Sequence, residues 1–242
     1  MRIRTLLTTM LILLTTFTTR AQEGELLDYQ QEIGGGLGVS CYWGDAGGGL
    51  FKNPGFLGTV LWRRNLNPRM TVKTNIGFGR ISGNTKGIFI PEDPLSETPE
   101  GGVAVQPVHF GRTLLDLGAQ FEFNFLGYGL GAAYKGVSRW TPYLMGGVGA
   151  TIAFGSGAPA AGGMTIPLGF GFRYKLLPRL NIGLEWSFNF TTCDRLDDSA
   201  ATTHLSDPYG IESGMFKNKD CYTKTFVFIT YDIAPKYRKC NN

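Results

Sequence analysis

Charge is scarce in this sequence. Asp, Glu, Lys and Arg make up 17% of 242 residues, against roughly a quarter in an ordinary soluble domain. Histidine is scarcer, with only His109 and His204, and the four cysteines are scattered; no zinc-ligand spacing results. Neither histidine has a Ser or Asp at a spacing that sets up nucleophilic catalysis, so both are expected in long loops. Beyond residue 22 no apolar run approaches the ~20 residues of a membrane helix. Glycine-rich stretches alternate within strand-like segments and lead into no helix, which excludes a phosphate-cradling loop. The expectation is a non-enzymatic chain with no catalytic residue, metal or cofactor.

What is present is a leader, an excess of glycine and a period of two. The N-terminal MRIRTLLTTMLILLTTFTTRAQ has Arg2 and Arg4, an apolar run and Thr19-Arg20-Ala21, which reads as a signal peptide, 1–21, before a single domain, 22–242. No Cys follows the cleavage site, so no lipoprotein anchor is indicated. The 23 basic residues exceed the 19 acidic ones, but Arg2, Arg4 and Arg20 would leave with the leader. The near-neutral remainder implies no nucleic-acid partner. Export permits disulfides.

Eight segments alternate bulky apolar residues with Gly or single polar residues, the pattern of β-strands: Tyr29 to Trp43, about Phe56 to Arg64, Met70 to Gly79, Leu115 to Phe125, Trp140 to Phe154, Met164 to Leu176, Leu180 to Thr192 and Tyr222 to Ile233. Eight is the smallest usual number for a membrane barrel, whose turns and termini face the periplasm while longer loops face outward. Short connections at Asn65 to Arg69 and Leu177 to Arg179 and a moderate one at Leu126 to Arg139 alternate with long ones at Thr85 to Gly111 and Asp194 to Asp220.

A soluble sandwich would present Lys, Glu and Thr on the polar face of each strand. Here that face is mostly Gly with lone polar residues, which suits the crowded interior of a small barrel. Aromatics near strand ends, Tyr42, Trp43, Trp62, Trp140, Tyr174 and Tyr231, fit interface girdles. The expected fold is therefore all-β: an eight-stranded antiparallel transmembrane barrel, integral to the bacterial outer membrane and in contact with its lipids.

The inward faces carry Glu32, Lys73, Asp116, Glu122, Arg173, Lys175 and Glu185. Such charges must pair in a closed interior, and Glu185 is expected to pair with Arg173 or Lys175 on the adjacent strand. The short turns and tail are basic, with Arg63, Arg64, Arg69, Lys135, Arg139, Lys175, Arg179, Lys236, Arg238 and Lys239, whereas the long loops are acidic. Cys193 and Cys221 end and begin successive strands and are disulfide candidates, with Cys41 a competitor; three connectivities stay open. Cys240 would lie in the opposite compartment, as a free thiol or an intermolecular link.

RMTVKTNIGFGRISG, RWTPYLMGGVGATIAF, IPLGFGFRYKLLPRLNIGLEW, the loop entry TTCDRLDD, the later DPYG and NKDCYTKTFVFITYDI occur in this order. Together they resemble PorG-like outer-membrane barrels of the type IX secretion system over most of the mature chain. The resemblance implies a non-enzymatic component that docks the periplasmic ring of the PorK lipoprotein and PorN, works beside other components of that system, and supports assembly and protein export. The basic periplasmic end makes Asn67, Pro68, Arg69, Lys135, Arg139, Arg179 and the tail Lys236, Arg238, Lys239 and Cys240 the candidate docking residues. The competing readings are a small barrel that binds or modifies lipid and a passive envelope-stabilising barrel.

Overall fold

In the computed structural model, residues 29–44, 52–84, 109–129, 137–197 and 219–235 are described. The expected leader, Lys135, His204 and the tail with Lys236, Arg238, Lys239 and Cys240 lie outside them. Eight long strands are present: β1 (Tyr29–Trp43), β2 (Gly55–Asn67), β3 (Met70–Asn84), β4 (His109–Asn124), β7 (Trp140–Gly155), β8 (Ala158–Leu177), β9 (Leu180–Thr191) and β10 (Cys221–Pro235). Two short pieces on the inner connection, β5 (Gly127–Tyr128) and β6 (Val137–Ser138), pair in parallel. The long strands close in the order β1-β10-β9-β8-β7-β4-β3-β2, every neighbour antiparallel.

The direction of each face is settled within β9. Leu184 is 50% exposed while the adjacent Glu185 is 2% exposed. Ile76, Leu117, Phe170 and Ile229 likewise point outward, and Lys73, Glu122, Arg173 and Asp232 inward. A closed sheet satisfies every ladder hydrogen bond without water, which is what a lipid-exposed backbone needs. An apolar belt on such a sheet makes the molecule a membrane-spanning barrel.

Several elements are longer than the alternation predicts. β3 continues to Asn84 and β4 begins at His109, so His109 stands at the start of a strand, not within a loop. In these outer extensions the inward face carries an apolar cluster, Ile81, Phe110, Leu114, Ala153 and Ala161 packed around Tyr42 and Tyr222, and between Phe110 and Leu114 the buried Arg112 donates to the Ala153 carbonyl at 3.0 Å. Tyr42 therefore belongs to the lumen and not to the aromatic girdle, whereas Trp43, Trp140, Tyr174 and Tyr231 do face outward. The outer part of the lumen thus mixes apolar side chains with a few buried polar groups, which the polar-inside rule does not anticipate.

The connection between β7 and β8 corrects the expected alternation of short and long. It is an outer connection, yet Ser156 (φ 64°) and Gly157 (φ 73°) alone join the strands. Left-handed conformations at both central residues make the hairpin turn whose twist matches the strands.

Candidate functional site

Among the described residues, polar side chains gather in the lumen, at its outer end and on the inner rim. In the lumen, the sequence-derived residues Glu32, Lys73, Asp116, Glu122, Arg173, Lys175 and Glu185 are all buried. The structure brings them together with three that the sequence did not single out as inward, Arg63, Lys224 and Asp232. At mid-depth Glu185 accepts from Lys73 Nζ at 2.6 Å and from the Tyr143 hydroxyl at 2.6 Å. Arg63 donates from Nε to both oxygens of Glu122 at 3.1 Å, and Lys73 Nζ also lies 3.3 Å from Glu122.

Arg173 reaches Glu32 at 3.4 Å and lies over the Tyr128 ring at 4.5 Å. Lys175 donates to Asp232 at 2.5 Å, and outward of mid-depth Lys224 pairs with Asp116. Arg63 and Phe228 stack, guanidinium carbon to ring centre, at 4.3 Å.

The expected partner of Glu185 is thus corrected. Arg173 pairs with Glu32, and Lys175 with Asp232, while Glu185 reaches across the lumen to Lys73 on β3. An eight-stranded interior is only about a side chain wide, so opposite walls compete on equal terms with adjacent strands. Arg63 is corrected as well, from a turn residue to one with no exposed surface, and Lys175 is likewise interior.

Aromatic rings fill the lumen where facing glycines make room for them. A Cβ at Gly171 would fall 2.4 Å from the Tyr143 ring, and one at Gly183 would fall 2.3 Å from Cζ of Phe228. At the inner end Tyr128 is drawn in as a stopper. Its hydroxyl donates to Asn181 Oδ1 at 2.7 Å and its backbone N–H to the Pro68 carbonyl at 3.0 Å. This inner stopper carried no period-two signal, because it sits on a connection.

At the outer end, Tyr42 hydrogen-bonds to Asp197 Oδ2 at 3.0 Å and to Asp220, which also accepts from the Leu196 N–H at 2.8 Å. Burial, and then the neighbouring Asp197 carboxylate, push Asp220 well above the usual carboxylate range. Two carboxyls around one phenol are held together when one of them carries a proton.

The cysteine candidates separate. Cys193 and Cys221 are thiols. In β10 the inward row is Tyr222, Lys224, Phe226 and Phe228, which turns Cys221 outward, whereas buried Cys193 belongs to the cluster inside the outer mouth. The two thiols are not bridged in this structure. Cys41 pairs in register with Thr223, two residues from Cys221.

The inner rim presents Arg64, Arg69, Arg139 and Arg179 as exposed residues. Its turns are fixed by backbone bonds from neighbouring strands. The Arg69 carbonyl accepts from the Asn124 N–H at 2.7 Å, that of Arg139 from Lys175 at 2.7 Å, and that of Arg179 from Asp232 at 2.8 Å. Asn67 Oδ1 caps the Arg69 N–H at 2.8 Å, and Pro68 is buried, so these two shape the turn rather than offer a surface. The Arg179 guanidinium is engaged within its own barrel: it lies 4.6 Å from the Tyr231 ring and 5.2 Å from that of Tyr29, and donates to the Asp232 carbonyl at 3.2 Å.

Among solved structures, the chain is similar to Neisserial surface protein A (TM-score 0.50, 10% identity, covering 84% of this chain and 97% of that one). It is also similar to Ail, the attachment invasion locus protein of Yersinia pestis (TM-score 0.47, 12% identity, 86% and 100%), and to the outer membrane protein OprG of Pseudomonas aeruginosa (TM-score 0.41, 10% identity, 85% and 96%). The first of these likenesses shows the fold, a small eight-stranded barrel of outer-membrane type. No curated protein matches the sequence. Residues 4–242 match one family throughout, and the chain belongs to it: DUF6089, described as a domain of unknown function.

Proposed function

We propose that this barrel is a non-enzymatic component of the type IX protein secretion system, docking the periplasmic ring of the PorK lipoprotein and PorN to the outer membrane and supporting assembly and export. The observation that carries the reading is the inner rim. Arg69 and Arg139 project from turns whose carbonyls are fixed by the next strands, which makes a preorganised cationic surface at the periplasmic end. A fixed turn backbone favours recognition because little loop entropy is lost on docking. The lumen, filled by ion pairs and rings, supports an anchor rather than a conduit. The choice of partner rests on the resemblance of the motif order to PorG-like barrels, and the route to the membrane on the signal-peptide pattern at 1–21.

Charge reversal tests the proposal. Arg69→Glu with Arg139→Glu is expected to lower recovery of ring components with the tagged barrel at least tenfold while the barrel keeps its heat-modifiable mobility on gels. Full recovery of the ring with the reversed rim would refute the docking surface. Deleting the gene is expected to abolish secretion of many cargo proteins together; altered lipid mass with intact secretion would support a lipid-modifying barrel instead.

A further inference from the structure

At the outer mouth the chain turns back into its own barrel. After β9 the segment 193–197 runs inward as a strap, and Leu196 and Asp197 end 0% and 1% exposed, Leu196 in one cluster with Ile81, Phe110 and Cys193. The base of the strap is pinned, because the Cys193 carbonyl accepts from Thr191 Oγ1 at 2.9 Å and from the Asp220 N–H at 3.2 Å. Residues 194–197 are held at two places. Arg112 of β4 donates to the Arg195 carbonyl at 2.6 Å and is itself anchored on the carbonyls of Ala153 and Pro159, at 3.0 and 2.5 Å. Asp220 accepts from the Leu196 N–H at 2.8 Å, and the Tyr42 hydroxyl joins Asp220 to Asp197.

The two holds differ in kind. A guanidinium keeps its charge and its hydrogens throughout the accessible pH range, whereas a phenol has a single hydrogen to donate. Tyr42 nevertheless contacts both Asp197 Oδ2 and Asp220 Oδ1. Both contacts are hydrogen bonds when Asp220 is protonated and donates to the phenol oxygen, which passes its own hydrogen to Asp197. Without that proton, two buried carboxylates face one phenol and only one of them is bonded to it. Among the described residues, the other titratable groups turned toward this space are Arg112 from β4, Tyr222 and Lys224 from β10, and Cys193, Asp194 and Arg195 of the strap. Lys224 is paired with Asp116 and Asp194 with Lys219. From β3, β7 and β8 come Ile81, Ala153 and Ala161, which do not titrate.

We propose that residues 194–197 are a pH-operated plug of the outer mouth: one proton shared by Asp220, Tyr42 and Asp197 keeps the plug seated, and loss of that proton releases it and uncovers the Cys193 thiol. With the plug lifted, Asp220 is solvated and has the ordinary carboxylate pKa of about 3.9. Seated, burial and then Asp197 raise it well above that range. The proton's contribution to the seated state is therefore fully present below the ordinary value. Above it, the ratio of seated to lifted plug falls by up to tenfold per pH unit, until pH passes the native value. The device is independent of ring docking, because it lies at the opposite end of the barrel.

Alkylation of Cys193 by N-ethylmaleimide in the full barrel in mild detergent, read by peptide mass spectrometry, tests this. Each rate is divided by that of Cys193 in the urea-unfolded protein at the same pH, which cancels the thiolate fraction. From pH 5 to pH 8 the wild-type ratio is expected to rise at least tenfold. Asp220→Asn still accepts from the Leu196 N–H and donates to the phenol oxygen at every pH, so its ratio is expected to stay within twofold of the wild-type value at pH 5. Asp197→Asn leaves one carboxyl to take the phenol hydrogen and is expected to cut the rise at least threefold. A wild-type ratio that is flat with pH would overturn the proposal, as would an undiminished rise in whichever of the two carboxamide variants keeps heat-modifiable mobility on gels.

Discussion

Removing the carboxylate of Glu185 gives the sharpest test of how this lumen is held. Glu185→Ala deletes both 2.6 Å contacts with Lys73, the 3.5 Å contact with Arg63 and the acceptor of the Tyr143 hydroxyl. Lys73 is then left with Glu122 at 3.3 Å as its carboxylate partner, while Glu122 is already shared with Arg63. Breaking a buried pair from one side costs about 3–5 kcal/mol, and the remaining contact to Glu122 places this case near the lower end, at about 3 kcal/mol. Replacing both partners by apolar groups of similar volume removes the stranded charge, so Lys73→Met with Glu185→Leu is expected to recover most of that loss. Urea unfolding of barrels refolded into the same vesicles, followed by heat-modifiable gel mobility, measures both. A single variant that costs less than about 1 kcal/mol, or a double variant no better than the single, would refute the account of a mutually dependent ion network.

Three further outcomes follow from particular contacts. Gly171→Ala puts a Cβ 2.4 Å from the Tyr143 ring and is expected to destabilise the barrel by about 1–3 kcal/mol, as overpacking does, in the same unfolding assay. Maleimide mass labelling of the unfolded, unreduced protein is expected to modify both Cys193 and Cys221; a peptide linked through these two would contradict their placement on opposite faces. Asp220 has a native pKa raised by burial and by Asp197, so the stability it contributes is fully present below the unfolded carboxylate pKa of about 3.9 and is lost as pH rises through the native value. The Leu196 amide, which donates to Asp220, is therefore expected to be better protected from hydrogen exchange at pH 4 than at pH 8 after correction for intrinsic rates, and Asp220→Asn is expected to flatten that dependence.

Much of the architecture is legible in the chain. The alternation in Leu180 to Thr191 fixes both strand and facing, because Gly, Asn and a lone Glu could not make a solvent face while Leu, Trp and Phe could face lipid. It fails where both faces are apolar. In β2, inward Leu57 and Leu61 mirror outward Val60 and Trp62, so parity is ambiguous and Arg63 reads as part of a basic turn. Phe226 and Phe228 do the same in β10. Ion-pair partners are unreadable for another reason: strand order gives neighbours along the wall, whereas Lys73 and Glu185 meet across the lumen at a separation of 112 residues. The apolar outer mouth around Phe110 and Leu114 escaped because both faces are apolar there, inward Leu114 and Ala153 standing beside outward Leu115 and Ile152.

Glu32 sits on the first strand, where Asn65 of the neighbouring β2 donates to it at 2.9 Å, but two of its partners arrive late in the chain. It meets Arg173 and accepts a hydrogen bond from Thr230, 198 residues away, and β1 reaches β10 only when the sheet closes. A still-open sheet therefore surrounds this carboxylate only with its β2 neighbours, Asn65 and the in-register Arg63. Closure adds the partners from β8 and β10, so the first hairpin begins a polar shell that the last strand completes.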